Sequence, residues 1–372
     1  MEERPLGNTG EKITILGLGG FHLLEISLRN AVEIVTMYLD QGGCYIETAA
    51  AYGNGQSEQK IGKIMRKQSE ECFLATKCHV RDKIGAMASI EHSLRNLNTD
   101  HVDILFMHAV QTQGELNRIL APDGAIHAAE KAREAGKIRY IGITLHGVPD
   151  PLIEAVKCYP FDVIMTGFNY YDRFNWPTLE EEFLPLALKK KIGLIGMKPL
   201  ADGYLWRSAE LAFRYAWSLP LSTVVAGINT LEQLEQDLVY AENFRPMTQK
   251  EKEKLFCNAP ELGDYVCRQC GKCLPCPEGI DIPRLFMLEG YYDRQMWDGQ
   301  VKDPADFALR HRLRFWFNNK DLAQQEYAKK VVKANACTSC EDCLPRCPYK
   351  LLIIEKLRLV DYKLAPTGKK LF

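Results

Sequence analysis

Long apolar runs are missing from this chain of 372 residues. No stretch approaches the roughly 18 consecutive apolar residues that a helical membrane span needs, so no membrane partner is expected. An excess of one charge sign is lacking too, with 47 Lys and Arg against 48 Asp and Glu. Such a balance gives no electrostatic footprint for nucleic acid. The opening MEERPLGNTG mixes charges and holds none of the apolar stretch of a secretory signal, which makes the cytoplasm the expected location. Also absent is a G-x-G-x-x-G that opens a helix after a strand. The GLGG at Gly17 to Gly20 lacks the third glycine spacing, which argues against a Rossmann dinucleotide site.

Cysteine is plentiful, at thirteen residues. Cytosolic thiols are kept reduced, so such a count favours metal binding over disulfides. Two runs near the C-terminus carry most of the signal. One is Cys267, Cys270, Cys273, Cys276 followed by Pro277; the other is Cys337, Cys340, Cys343, Cys347 followed by Pro348. They form an imperfect internal repeat. The second matches the bacterial ferredoxin pattern C-x2-C-x2-C-x3-C-P, and the first is one residue shorter before its last cysteine. Three closely spaced thiolates wrap one cubane, while the cysteine before proline leads away and, in two-cluster ferredoxins, ligates the other cluster. The expected pairing is therefore crossed: Cys347 with Cys267, Cys270 and Cys273, and Cys276 with Cys337, Cys340 and Cys343. Two structural zinc sites are the alternative, although zinc usually takes two C-x2-C pairs across a longer spacer. A disulfide knot is the other. The remaining cysteines, Cys44, Cys72, Cys78, Cys158 and Cys257, sit in apolar contexts and are expected to pack as small hydrophobes.

From Thr14 to Phe244 short apolar runs alternate with longer amphipathic ones, the pattern of βα units and a parallel sheet. Eight candidate strands stand out: ITILGLG, CYIET, CFLATK, VDILFMH, IRYIGIT, DVIMTG, IGLIGM and STVVAG. Each is followed by a helical pattern, as in TLEEEFLPLALKKK (178–191), which has an acidic start and a basic end. The expected fold is α/β, a closed (β/α)8 barrel over residues 1–250. A small, mainly α-helical ferredoxin-like domain with two clusters is expected over 251–372.

In such barrels chemistry sits at the C-terminal ends of the strands. Here the second strand ends in Glu47 and leads to Tyr52, the third ends in Lys77 and the fourth in His108. Each alone has a plain structural explanation, as a rim aromatic, a solvated strand end or a polar cap. Together they gather an acid, a cation, a carboxylate and an imidazole in one cleft. A phenol of pKa about 10 is a proton donor near neutral pH that benefits from a nearby ammonium. The substrate pocket is expected from GFHLLE after the first strand, AVQTQGELNRILAPDG after the fourth and NYYDRFNWP after the sixth. The aromatics of the last are expected to pack the barrel rim. HRLRFWFNN (311–319), between the cysteine runs, reads as an amphipathic helix covering the clusters, with a partner-docking face as the other reading.

These residues carry a resemblance to the aldo-keto reductases, through LGLGG, ETAAAYG with SEQKIGK, TK, VDILFMH, GKIRYIGIT, MKPLADG and AGINTLEQLEQD in that order. The barrel joined to CLPCPEGIDIP resembles the subgroup with a ferredoxin-like C-terminal extension. The resemblance implies NAD(P)H-dependent reduction of an aldehyde or ketone, with Tyr52 as general acid, Lys77 and Glu47 as its electrostatic partners and His108 orienting the carbonyl. Glutamate stands at position 47 where the commonest pattern has aspartate. It also implies a nicotinamide nucleotide, NADP or NAD, extended over the barrel mouth at Gly19, Thr144, Asn169, Lys198, Pro199, Leu200, Gly227, Asn229, Thr230 and Gln233. AGINT contains no basic residue to hold a 2′-phosphate, so NADH is not expected to be strongly excluded. The expected cofactors are thus a nicotinamide nucleotide and two [4Fe-4S] clusters, and the expected partner is a small carbonyl substrate. The alternative is an electron-transfer protein whose clusters serve a redox partner protein while the barrel docks it. In a third reading the clusters brace a lid over the barrel. Hydride carries two electrons while each cluster takes one, and no flavin motif is present to split the pair.

Overall fold

The computed structural model describes residues 1–68, 72–296 and 319–365. The segment HRLRFWFNN lies outside them except for its last residue, Asn319. Among the described residues no helix is long and apolar enough to cross a membrane.

A short hairpin opens the chain, β1 (Glu3–Pro5) against β2 (Lys12–Thr14). Eight parallel strands then close a barrel: β3 (Leu16–Gly19), β4 (Tyr45–Glu47), β5 (Phe73–Cys78), β6 (Val102–Met107), β7 (Ile138–Leu145), β8 (Val163–Gly167), β9 (Gly193–Met197) and β10 (Thr223–Gly227). All eight fall on the runs expected from the sequence, with β5 and β7 each reaching one residue further, to Cys78 and Leu145. Closure comes from β10 against β3, where Val225 stands opposite Gly17. The helices between them include α1 (Leu28–Asp40), α2 (Gln56–Gln68), α3 (Lys83–Leu97), α4 (Gln113–Leu120), α5 (Ile126–Glu134), α6 (Asp150–Cys158), α7 (Leu184–Lys189), α8 (Ala209–Trp217) and α9 (Leu231–Glu242).

Two departures from the sequence reading have physical causes. TLEEEFLPLALKKK is not one regular helix, because a π-helical turn over Leu179–Phe183 precedes α7. Pro185 lacks the N–H that would bond back to Glu181 and its ring crowds that carbonyl, so the first turn widens. The loop expected after the fourth strand contains α4, started by a capping box in which Thr112 and Glu115 satisfy each other's backbone N–H groups.

The barrel interior is built by the two-residue period of its strands. Tyr45 on β4, Phe73 and Ala75 on β5, Ile104 and Phe106 on β6, Val163 and Met165 on β8, and Ile195 and Met197 on β9 all belong to one buried core. Glycine is required where neighbouring strands crowd: Gly142 on β7 pairs with Phe106 on β6, and a Cβ there would lie 2.4 Å from the Phe106 ring. The same parity carried one step further points Glu47, Lys77 and His108 inward at the C-terminal ends. A one-residue register slip would turn all three outward.

The chain divides into two compact units. The first comprises Met1–Phe168, Glu182–Pro199 and Ser208–Pro246; the second comprises Met247–Phe372 together with Asn169–Glu181 and Leu200–Arg207. The second unit contains α10 (Gln249–Asn258), α11 (Ile282–Asp293), α12 (Lys320–Ala328) and α13 (Ile353–Leu364). Tyr170, Tyr171, Phe174 and Trp176, the aromatics of NYYDRFNWP, are buried in it. Of the five cysteines outside the runs, Cys72 and Cys78 are buried as expected, but Cys158 and Cys257 are exposed. Cys158 ends α6, whose buried face is taken by Leu152, Ala155 and Val156. On α10 the buried residue is Leu255.

Candidate active site and cluster cradles

Lys77 is the centre of the barrel site. Its side chain is 2% exposed, and Nζ donates to the Glu47 carboxylate, to the Thr48 carbonyl at 3.0 Å and to the Tyr52 hydroxyl at 3.0 Å. All three ammonium protons are thereby used. Burial pushes Lys77 well below the ordinary ammonium range, and the Glu47 carboxylate is the counter-charge that offsets this. Burial also raises the Tyr52 phenol, so it stays protonated through the neutral range.

The turn carrying Tyr52 is fixed locally. Tyr52 N–H donates to Ala49 O at 3.0 Å, and Gly53, Asn54 and Gly55 follow with φ of 58°, 52° and 88°. Three consecutive left-handed residues need the glycines of YGNG. The ring of Tyr52 meets Phe21 edge-on at 5.1 Å and His108 edge-on at 5.8 Å. Phe21 belongs to the GFHLLE loop and is a site residue that strand-end reasoning does not single out.

His108 is held low by burial first and then by the positive charge of Lys77, with His146, His79 and Arg81 adding to it, so its imidazole is neutral near pH 7. Its backbone N–H donates to Cys78 O at 2.9 Å. The next residue, Ala109, has φ of 50°, and its N–H donates to Thr144 Oγ1 at 2.8 Å. Thr144 thus shapes the turn after His108. Asn169 shapes its own turn in a comparable way. Its Oδ1 accepts from the N–H groups of Tyr171 and Asp172, at 3.1 and 2.8 Å, and its Nδ2 donates to Asp172 at 2.8 Å. Gly19 ends β3 and Gly227 ends β10, paired with each other. Thr230 caps α9 by accepting from Gln233 N–H at 3.2 Å, and Asn229 N–H donates to the Gln233 side chain at 3.1 Å. The start of this helix offers backbone N–H groups of the kind that hold phosphate. Lys198 follows β9 in a left-handed conformation, φ 56°, with Pro199 and Leu200 after it. Asn169 and Leu200 fall in the second unit and the other eight residues in the first.

The two cysteine runs share a backbone conformation as well as a spacing. Gln269 and Gly271 have φ of 56° and 69°, and their counterparts Ser339 and Glu341 have 61° and 66°. Cys267, Cys270, Cys273 and Cys347 line one small cavity, together with Pro283, Phe286 and Tyr349. Cys276, Cys337, Cys340 and Cys343 line another, with Ile282 common to both. Each cradle therefore takes three thiols from one run and the fourth from the other. Among the described residues no three His, Cys, Asp or Glu side chains form a group suited to a single metal ion. Burial and the neighbouring thiols push Cys267 up to about 11 and Cys273 up to about 12, so four thiolates in this space require a cationic centre among them. A cubane cluster meets that requirement.

Comparison with known proteins agrees with both parts. Residues 15–209 match the aldo/keto reductase family and residues 266–352 match a 4Fe-4S dicluster domain. An L-galactose dehydrogenase of Arabidopsis thaliana is 29% identical over 64% of this chain and 87% of its own. An aldo-keto reductase of Bacillus halodurans superposes with a TM-score of 0.60 at 25% identity, covering 68% of this chain and 94% of that one. A Klebsiella pneumoniae aldo-keto reductase solved in complex with NADPH shares the fold at 19% identity, with a TM-score of 0.57 over 69% of this chain and 95% of that one. The chain belongs to the aldo/keto reductase family and carries a 4Fe-4S dicluster domain C-terminal to its barrel.

Proposed function

We propose that the protein reduces an aldehyde or ketone to the alcohol with NAD(P)H, using the barrel site. The observation that carries this reading is the Lys77 ammonium donating at 3.0 Å to the hydroxyl of Tyr52 while held against Glu47. When bound, the nicotinamide nucleotide supplies the hydride to the carbonyl carbon. The chain's own part is the proton. Tyr52 gives its hydroxyl proton to the carbonyl oxygen, and the phenolate left behind is stabilised by Lys77. The neutral imidazole of His108 orients that oxygen by donating a hydrogen bond. The general acid is thus a phenol whose burial disfavours ionisation, offset by an ammonium that is itself kept charged by Glu47.

Gly19, Lys198, Pro199, Leu200, Gly227, Asn229, Thr230 and Gln233 would hold the nucleotide, with the phosphates toward the start of α9. Thr144 and Asn169 would support it by fixing the turns described above. Two [4Fe-4S] clusters would occupy the crossed cradles and brace the second unit, which contains the 169–181 and 200–207 segments. Direct exchange between nicotinamide and cluster is disfavoured because hydride moves two electrons together and each cluster takes one.

The test is a steady-state assay of anaerobically purified protein with NADPH and NADH against a panel of aliphatic and aromatic aldehydes and ketones. The expected result is alcohol formed in equal amount to nucleotide oxidised. No turnover of any member, with both clusters loaded, would count against the reading.

A further inference from the structure

Helix α11 leaves the cluster region at one end and finishes in two unusual residues at the other. Ile282 lines both cradles, and Pro283 and Phe286 line that of Cys267. At its C-terminal end Arg294 and Gln295 have φ of 62° and 54°, a consecutive left-handed pair without glycine. Side chains with a Cβ avoid this region, so surrounding contacts must hold it. Both residues are fully buried, and both have identifiable partners.

Arg294 grips Asp172 with two nitrogens, Nε to Oδ1 at 2.8 Å and Nη2 to Oδ2 at 2.5 Å, and reaches Asp202 through Nη1 at 3.0 Å. Its carbonyl accepts from the Tyr171 hydroxyl at 2.8 Å. Asp172 Oδ2 in turn accepts from Asn169 Nδ2. One fork-shaped cation therefore ties the segment after β8 to the segment after β9, with the bidentate geometry that guanidinium suits and an ammonium does not.

Gln295 faces a cluster ligand. Its Oε1 accepts the backbone N–H of Cys267 at 2.8 Å, while its Nε2 donates to Phe174 O at 3.1 Å and to Asn175 Oδ1 at 3.2 Å. Gly290, one turn earlier on α11, lies so close to this segment that a Cβ there would be 2.8 Å from Asn175 Cα. On α11 itself, Glu289 and Asp293 receive the buried ammonium groups of Lys356 and Lys363 from α13. The end of the helix is thus fixed to α13 as well as to the two barrel-loop segments.

We propose that Arg294 and Gln295 are positioning residues that make NAD(P)H binding depend on the cluster held by Cys267, Cys270, Cys273 and Cys347. The dependence runs through the shape of segments 169–181 and 200–207. It rests on the nicotinamide reading given above. Loss of that cluster frees the Cys267 backbone, Gln295 loses its acceptor role, and the strained pair with its grip on Asp172 and Asp202 relaxes. Linkage makes the effect reciprocal: if the cluster favours nucleotide binding, the nucleotide must retain the cluster by the same factor.

The experiment uses full-length protein with both clusters loaded under anaerobic conditions, and NADPH as the probe. Equilibrium binding and the rate of iron release to a chelator are measured for the wild type, Arg294→Met and Gln295→Leu. Expected are an unchanged iron and sulfide count in the variants, NADPH binding weakened about tenfold or more, and a wild-type iron release slowed several-fold by saturating NADPH. In the variants NADPH should no longer slow that release, a loss that a merely structural role would not produce. NADPH binding by the wild type with unchanged iron release would overturn the coupling alone, and this arm stands even if a variant fails to fold. Wild-type affinity retained in both variants would overturn it too. A loaded wild type that binds no nucleotide would overturn both the coupling and the functional reading.

Discussion

The barrel site is assembled from single side chains at the ends of neighbouring strands, whereas the cluster cradles draw on two runs distant in sequence and on a helix between them. Glu47, Lys77 and His108 inherit their inward direction from strand parity, and that parity is fixed by the apolar core beneath them. Among the described residues of the second unit there is no strand to provide such a frame. The cradles are shaped by left-handed residues at matching positions of the two runs and by thiols exchanged between them. The barrel can therefore form its site without any cofactor, while the cradles need the group they hold.

The contrast predicts its own largest effect. Chelation of iron should collapse the second unit cooperatively, since metal binding and folding are coupled where ligands come from distant segments. Far-ultraviolet circular dichroism should lose the signal of α10 to α13 while the barrel's contribution persists. A barrel that melted together with the clusters would break the distinction. Next in size is Tyr52→Phe, which removes the transferable proton and little else. Carbonyl reduction should fall by about 10²- to 10⁴-fold while nucleotide binding stays nearly intact; near wild-type turnover would remove Tyr52 from the mechanism.

Sequence makes the first region far more legible than the second. The eight strands and the inward Glu47, Lys77 and His108 can be read from periodicity, whereas the cysteine spacing carries the crossed pairing only as an expectation. The capping box T-Q-G-E is also present in the sequence and marks α4, inside a stretch that otherwise reads as loop. Other features have no sequence signature. Nothing local announces that Asp172 and Asp202 share one arginine, or that Gln295 accepts from a cluster ligand, because these contacts join positions far apart along the chain. Thr144 and Asn169 carry a related lesson: the family resemblance implies cofactor contacts at both, while their polar atoms also serve the local turns at Ala109 and at Tyr171 and Asp172.

A smaller effect sharpens the comparison inside the second unit. Cys276→Ala should disturb the cluster held by Cys337, Cys340 and Cys343 and leave that of Cys267 unchanged, as site-resolved spectroscopy would show. Disturbance of the Cys267 cluster instead would replace crossed cradles by two local ones. The smallest effect belongs to the barrel. Asp237 on α9 is buried, and burial pushes its carboxyl up to about 7. An unfolded aspartate titrates near 3.9, so the folded state holds the extra proton between these values. The stabilisation is complete below about pH 4 and is lost as the pH rises through about 7. Asp237→Asn should accordingly raise the melting temperature at pH 8 relative to the wild type, and give no such gain at pH 4.

The central claim, that hydride chemistry belongs to the barrel and the clusters brace the second unit, is tested most directly by one anaerobic titration. NADPH is added to the loaded protein, first without and then with a carbonyl substrate, while nucleotide absorbance and electron paramagnetic resonance are followed together. NADPH alone should leave the clusters in their starting oxidation state, and the carbonyl should then consume it mole for mole. Appearance of a reduced-cluster signal on adding NADPH alone would contradict the central claim.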